Sequence, residues 1–156
     1  MGTVGGDAGR PAAVSLSTPM YQTTLTLSTR GPGTYEFTDR VTVEVRRSGC
    51  KMGMVHVFCR HTSCSLVIFE NADPSARTDL DAWLARLVPA DDANFTHRTE
   101  GSDDMPAHIK TALTRTSESI PFADGRLLLG TWQGVFLWEH RNDPQQRSVV
   151  ITIVGG

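Results

Sequence analysis

The segment 52–87, MGMVHVFCRHTSCSLVIFENADPSARTDLDAWLARL, contains the transition that decides the fold, from strands to a helix. Met52 to Phe58 and Ser65 to Phe69 are short and rich in apolar residues, which predicts two neighbouring, deeply buried strands. Asp73-Pro74 then predicts a helix start, because the carboxylate can cap the first turn and proline lacks only an N–H that has no partner there.

Two helices are predicted in the middle of the chain. After Asp73, apolar residues recur at helical spacing until Pro89: Leu80, Trp83, Leu84 and Leu87. This spacing predicts an apolar stripe that faces the core. A second, shorter helix is predicted after Asp103 and Asp104, where Pro106 falls in the first turn. The predicted packed face of that helix consists of Ile109, Ala112 and Leu113.

Strand patterns flank these helices on both sides. Alternating polar and apolar residues predict half-buried strands at Tyr21 to Ser28 and at Thr42 to Val45. After Thr116 the chain is expected to turn through Pro121 and Asp124-Gly125. Three further strands are then predicted: Arg126 to Leu129, Val135 to Trp138 and Ser148 to Val154. This order predicts an α+β fold, a single domain with a mostly antiparallel β-sheet or sandwich and two main helices.

The composition fits one globular domain and disfavours several classes of partner. The chain has 156 residues, of which 39% are hydrophobic, enough for one core. Fifteen basic and seventeen acidic residues give a net charge of −2, which disfavours nucleic acid and anionic membranes as partners. No apolar run approaches the roughly 20 residues of a membrane span. We expect residues 1–17 to be a disordered tail and residues 18–156 to form the domain.

The chain has three cysteines, Cys50, Cys59 and Cys64, without the paired spacing of a metal site. An odd number of this kind fits reduced thiols in a cytoplasmic protein better than a disulfide framework. If Cys59 and Cys64 lie on neighbouring apolar strands, we expect them to be small buried hydrophobic residues, with a catalytic thiol as the less favoured alternative.

Asp104 and His108 are the best candidates for metal ligands. They are four residues apart at the start of a predicted helix, so both side chains lie on one face. A carboxylate with an imidazole favours a divalent cation, while the helix N-terminus favours an anion such as phosphate. His97, shortly before this helix, is a possible third ligand. The alternative is that Asp104 only caps the helix and the two histidines are solvated.

Two further polar clusters lie where predicted strands end. His61-Thr62-Ser63 separates the two central strands, and Glu139-His140 ends the strand Val135 to Trp138, where general acid–base catalysis or metal binding is possible. The segment 130–134, GTWQG, allows close backbone approach to a ligand or forms a plain hairpin turn. It lacks the spacing of a Walker or dinucleotide loop, so it gives no indication of ATP or NAD.

Several of these blocks resemble the YjbQ family: HTSCSLVIFENADP, HRTEGSDDMPAHIK, GTWQG and EHR. The resemblance runs from about Tyr21 to the C-terminus. It implies a compact α+β domain that forms a homotrimer, with a polar pocket near a subunit interface. It also implies a secondary thiamine-phosphate synthase activity, which joins hydroxymethylpyrimidine diphosphate to a thiazole phosphate and releases pyrophosphate. The family's polar positions carry over as His61, Thr62, Ser63, Asn71, Asp79, His97, Glu100, Asp103, Asp104, His108, Gln133, Glu139 and His140.

Our first functional hypothesis is a metal-assisted enzyme that acts on a phosphorylated small molecule. His97, Asp104 and His108 would hold a divalent ion, with zinc or magnesium expected. The expected catalytic groups are His61, His140, Glu139, Gln133 and Asn71. Within this set, the two histidines would transfer protons, and Gln133 and Asn71 would orient the substrate.

The second hypothesis is a non-catalytic trimeric module that binds a metabolite or a metal in the same pocket. Binding and catalysis use the same ligands and differ in whether a reactive atom lies next to a poised acid or base. A third interpretation is a trimer in which the histidines only satisfy one another at the interface, without a metal.

Overall fold

The computed structural model describes residues 20–156, which form eight strands and three helices. The strands are β1 (Met20–Ser28), β2 (Gly33–Glu36), β3 (Met52–Cys59), β4 (Cys64–Glu70), β5 (Ser117–Ala123), β6 (Arg126–Leu127), β7 (Gln133–Glu139) and β8 (Gln146–Gly155). The helices are α1 (Thr38–Arg47), α2 (Pro74–Leu87) and α3 (Asp104–Leu113). The predicted tail, residues 1–17, lies outside the described residues. None of these helices combines the length and the apolar character that crossing a membrane requires.

The strands form two antiparallel sheets, which confirms the predicted α+β class. One sheet has the order β1-β8-β3-β5-β6 and the other the order β2-β7-β4. The two central strands predicted as neighbours, β3 and β4, therefore do not pair. The segment 60–63 carries the chain from one sheet to the other, and a single bridge between Leu66 and Arg115 connects β4 to the start of β5.

The hydrophobic core lies between the two sheets and α1. Alternate residues of β3 and β8, among them Val55, Val57, Ile151 and Ile153, are fully buried, and Leu66 and Leu137 face them from the smaller sheet. Burial of each such side chain stabilises the fold by roughly 1.5–3 kcal/mol. The opposite face of β3 is exposed, so only one face of this strand is buried rather than both, as its apolar composition had indicated.

The predicted strand Thr42 to Val45 is wrong, because this segment lies inside α1. Val41 and Val45, four residues apart, are both fully buried on one face, whereas Val43 is exposed. Valines and threonines at alternating positions gave the segment a strand-like pattern. Burial of residues one turn apart, together with Arg46 and Arg47 in the last turn, stabilises the helix instead.

Strand β5 was not predicted, because Pro121 was interpreted as part of a turn. The strand pairs along its whole length with β3, while its other side pairs, within residues 20–156, only with the two-residue β6. Proline is tolerated on such an edge, where its missing N–H removes no ladder hydrogen bond. Strand β6 ends at Leu127, two residues earlier than predicted.

The helix stripes are only partly in the core. Asp73 caps α2 through its side chain, as predicted, and Leu84 is buried, but Trp83 and Leu87 are each 53% exposed. In α3 the predicted face is likewise wrong, because Ala107 is buried while Leu113 is 60% exposed. Periodicity identifies an apolar face, but it does not show whether the same chain covers that face.

Candidate metal centre

His97, Asp104 and His108 converge at the start of α3. Each offers one ligand atom, and these atoms lie within 4.8 Å of one another. Asp104 Oδ2 is 2.8 Å from Nε2 of His97 and 3.1 Å from Nε2 of His108. The Asp104 side chain is buried, whereas the His97 ring on the preceding loop is 45% exposed. The structure thus brings together the three residues predicted as metal ligands.

A hydrogen bond on the other side of the His108 ring orients the ring. His108 Nδ1 lies 2.7 Å from the main-chain carbonyl oxygen of Thr62. A carbonyl oxygen only accepts, so Nδ1 carries a proton and Nε2 is the ring atom that faces the Asp104 carboxylate. A contact at this distance needs a proton or a cation between Nε2 and the carboxylate oxygen. In metal sites, a ligating histidine is usually oriented in the same way, by a hydrogen bond from its other ring nitrogen to a carbonyl, a carboxylate or water.

Arg141 holds the carboxylates of the cluster in place. Its Nη1 donates to Asp104 Oδ1, and its Nε donates to Asp103 Oδ2 at 3.0 Å. Asp104 therefore presents only Oδ2 to the histidines. Burial alone would raise the pKa of Asp103, but the backbone N–H of Asn142 and the Arg141 guanidinium hold the pKa below its ordinary value.

The segment His61-Thr62-Ser63 lies beside this cluster. His61 Nε2 accepts a hydrogen bond of 2.7 Å from the backbone N–H of Ser148, so Nδ1 carries the proton. Burial and the nearby Arg147 guanidinium lower the pKa of His61. A surface cavity of about 530 Å³ adjoins the cluster, and its walls include His61, Thr62 and His108.

Glu139 lies at the end of β7. Its carboxylate is buried and accepts hydrogen bonds from side chains and backbone groups of the same chain. Arg147 donates to both carboxylate oxygens, at 2.7 and 2.5 Å, and Thr29 Oγ1 donates to Oε2 at 2.9 Å. The backbone N–H groups of His140 and Arg141 donate to Oε1. Burial would raise the pKa of Glu139, but these donors, led by Arg147, keep the pKa below its ordinary value. The structure places this residue in a buried ion pair that links β7 to β8.

His140 is buried between Ser65 and Trp138. Its Nε2 lies 2.9 Å from Ser65 Oγ, and its ring packs against Trp138 at a tilt of 55°, with centroids 5.5 Å apart. Burial, aided by the positive charge of Lys110, lowers the pKa of His140 to about 3. The imidazole is therefore neutral near pH 7.

We expect His140 to make the fold sensitive to acid. The unfolded chain protonates this imidazole near pH 6.5, whereas the folded chain resists protonation down to about pH 3. Stability therefore falls as the pH drops through this interval, by about 4 kcal/mol at pH 3. Denaturant unfolding of wild type and His140→Gln at several pH values measures this effect. Equal slopes in the two proteins between pH 6 and 4 would contradict it.

Asn71 and Gln133 lie far from these residues within one chain. In the β4–β7 pair, Glu70 pairs with Gln133 at one end and Cys64 pairs with Glu139 at the other. Seven-residue strands separate these ends by about 20 Å. Gln133 Oε1 accepts from the backbone N–H of Gly130 in a turn, and Asn71 Nδ2 donates to Glu36. Of the remaining polar positions, Asp79 and Glu100 are exposed.

The family model described as UPF0047 protein YjbQ-like matches residues 23–156. The chain belongs to the YjbQ-like family. It is 53% identical over 135 residues to the UPF0047 protein sll1880 of Synechocystis, covering 86% of this chain and 92% of that one. It is 40% identical to UPF0047 protein YjbQ of Escherichia coli O157:H7, covering 86% and 98%.

Solved structures of the YjbQ-like family have the same fold. A YjbQ/UPF0047 protein from Clostridium acetobutylicum matches with a TM-score of 0.76 at 34% identity, covering 84% of this chain and 98% of that one. A protein from Sulfolobus solfataricus, described as YbjQ-like and of unknown function, matches with a TM-score of 0.81, covering 89% and 99%. Its identity of 23% supports the fold alone. None of these names states an activity, so the function has to be inferred from the chemistry of the site.

The sequence analysis missed two arginines of this YjbQ-like domain. Arg141 orients the Asp104 carboxylate, and Arg147 neutralises Glu139. Arg141 directly follows Glu139 and His140, which the sequence analysis had identified. Nothing in the sequence linked Arg141 to Asp103 and Asp104, which lie 38 and 37 residues away. The sequence indicated the role of Arg147 only through its charge, which falls at a position of β8 whose side chain is buried.

Proposed function

We propose that this protein is a metal-dependent enzyme that acts on a small phosphorylated molecule. The observation that carries the proposal is the convergence of three ligand atoms from His97, Asp104 and His108 within 4.8 Å of one another, with the His108 ring held from its other side by the Thr62 carbonyl. His97, Asp104 and His108 would be the ligands. Their present separations of 2.8 and 3.1 Å are close to the roughly 3.3 Å between ligand atoms around a tetrahedral zinc ion.

The donor set favours zinc over magnesium. Two imidazole nitrogens and one carboxylate oxygen suit zinc, whereas magnesium prefers oxygen ligands. Three protein ligands also leave a coordination position open, as in catalytic rather than structural zinc sites. When bound, such an ion polarises a phosphoryl oxygen and neutralises charge that develops on a phosphate leaving group.

The cavity beside His108 is the proposed substrate site. At about 530 Å³ it lies within the 300–1,000 Å³ range of small-molecule sites, and it shares His108 with the metal cluster. His61 forms part of its wall and, in the tautomer set by Ser148, carries a proton on Nδ1. His61 would therefore act as a hydrogen-bond donor to the substrate rather than as a base at Nε2.

Thiamine-phosphate formation is the specific reaction that the sequence resemblance implies. Its diphosphate leaving group is the kind of group that a divalent ion stabilises. We expect the metal-loaded protein to release pyrophosphate from hydroxymethylpyrimidine diphosphate in the presence of thiazole phosphate. The turnover rate should fall at least about 100-fold in His108→Ala, because the loss of the ion removes several kcal/mol of charge stabilisation.

A matched control is His56→Ala, which removes an exposed histidine of β3 outside the metal cluster. This variant should keep the wild-type rate. Other phosphorylated compounds are screened in the same assay if the thiamine precursors are inert. Metal-loaded wild type that turns over none of them would overturn the enzyme proposal.

We also propose that the chain assembles as a homotrimer in the cytoplasm. Trp83, Leu87 and Leu113 are more than half exposed within one chain, and contact with further copies would cover these apolar side chains. Assembly is also a way to bring Asn71 and Gln133 close to the metal cluster of a neighbouring copy. The three free cysteines support a reducing compartment. Light scattering should give three chain masses, and a monomer would refute the assembly.

A non-catalytic binding module is the second candidate function. It is favoured by Glu139 and His140, whose internal hydrogen bonds leave neither residue poised as an acid or base. Under this alternative the protein binds zinc and a metabolite without turnover. His108→Ala would then lower ligand affinity, with no rate to lose.

A further inference from the structure

Cys59 and Cys64 face each other where the chain passes between the two sheets. Cys59 ends β3, Cys64 begins β4, and their Sγ atoms are 3.2 Å apart. Both residues are almost fully buried, and both thiols are free. A disulfide has an S–S distance of about 2.05 Å, so the sulfurs need to approach by only about 1 Å.

We propose that Cys59 and Cys64 form a redox-active pair, which hydrogen peroxide oxidises to a disulfide that weakens metal binding at the adjacent cluster. Formation of the disulfide does not depend on the proposed function. Its effect on metal binding does rest on the proposed metal site.

The surroundings of Cys59 make it the attacking thiol. The hydrogen bond between the two sulfurs lowers the pKa of Cys59, and the backbone N–H of His61 adds to this effect. The same contact, together with burial, raises the pKa of Cys64. Cys59 also lines a surface cavity of about 390 Å³ next to His61. Cys59 as a whole is 1% exposed, so the proposed oxidant is a small peroxide rather than a bulky disulfide reagent.

The reaction proceeds in two balanced steps. The Cys59 sulfur attacks one oxygen of hydrogen peroxide, the O–O bond breaks, and a sulfenic acid and one water form. The Cys64 sulfur then attacks the sulfenic sulfur, the S–O bond breaks, and a second water leaves with the thiol proton. Two electrons pass from the sulfurs to the peroxide, which is reduced to two waters.

The link to the metal cluster is the segment 60–63 between the two cysteines. The Thr62 carbonyl accepts from His108 Nδ1, and the Ser63 carbonyl accepts from Arg147. When the sulfurs approach each other, the ends of this segment move and the Thr62 carbonyl shifts away from His108. Loss of such outer support typically weakens metal affinity 10- to 100-fold.

Peptide mapping of the full chain tests the disulfide directly. The protein is treated with equimolar hydrogen peroxide, its remaining thiols are alkylated, and it is digested with trypsin without reductant. Arg60 lies between the two cysteines, so trypsin separates them into peptides 52–60 and 61–77. We expect these peptides to be joined and to separate on reduction, while Cys50 stays alkylated. Peptides that remain separate after peroxide treatment would overturn the proposal.

Zinc titration of the reduced and oxidised proteins then tests the coupling. We expect the oxidised protein to bind zinc about tenfold more weakly, with no such change in peroxide-treated Cys64→Ser or Cys64→Ala. Joined peptides with unchanged zinc affinity would overturn the coupling. If the reduced protein binds no zinc, the proposed function fails instead, and the peptide map still decides the disulfide.

Discussion

Arg147→Met lowers the free energy of unfolding by about 3–5 kcal/mol, because it leaves the Glu139 carboxylate buried without its cation. Both side chains are at most 5% exposed. The remaining donors to Glu139, Thr29 and two backbone N–H groups, carry no full charge. The pKa of Glu139 is lowered in the folded chain, so this stability is present above the unfolded value near 4.3 and is lost as the pH falls through the folded value.

Urea denaturation at pH 7 measures this loss, and the pair Arg115–Glu118, whose arginine is exposed, supplies the control. Its atoms are 3.5 Å apart and the Arg115 side chain is 75% exposed, so Arg115→Met should cost less than about 1 kcal/mol. The double variant Glu139→Gln with Arg147→Met should recover part of the stability, because no buried charge is then left unpaired. Equal costs for the two arginines would contradict the assigned role of Arg147.

Asp104→Asn lowers zinc affinity at least about 100-fold, more than the loss of an outer-shell partner typically causes. Asparagine keeps the size of the side chain but removes the negative charge at the atom that lies between the two imidazoles. Competition with a chromophoric chelator measures the affinity, and circular dichroism checks that the fold persists.

The neighbouring carboxylate provides the matched control for this change. Asp103 accepts hydrogen bonds from Arg141 and Asn142 and is not among the three proposed ligands. Asp103→Asn should therefore weaken zinc binding about tenfold, as expected for an outer partner. A smaller loss in Asp104→Asn than in Asp103→Asn would mean that the ligands are wrongly assigned.

Local chemistry explains which features could be predicted from the sequence. The start of α2 follows from Asp73-Pro74, whose capping interaction involves only adjacent residues. Asp104 and His108 come together because they are four apart on one helix. His97 joins them from a loop, and the sequence could indicate only that it lies shortly before the helix.

Long-range contacts explain what the sequence could not show. The role of Glu139 depends on Arg147 in another strand, and the environment of His140 depends on Ser65, which is 75 residues away. The segment Thr42 to Val45 has a strand-like pattern but lies in a helix, because Val41 and Val45 both pack into the core. The exposed faces of α2 and α3 were predicted to pack into the core. A sequence pattern shows that a helix face is apolar, but it does not show what covers that face.

The most direct test of the proposed metal centre is the metal content of the purified, tag-free protein by elemental analysis. Wild type, His97→Ala, His108→Ala and the control His56→Ala are compared after incubation with zinc and removal of excess ions. The account predicts about one zinc ion per chain in wild type and His56→Ala, and little or none in the other two variants. Wild type without bound metal, or His97→Ala and His108→Ala that retain full occupancy, would contradict the proposed metal centre.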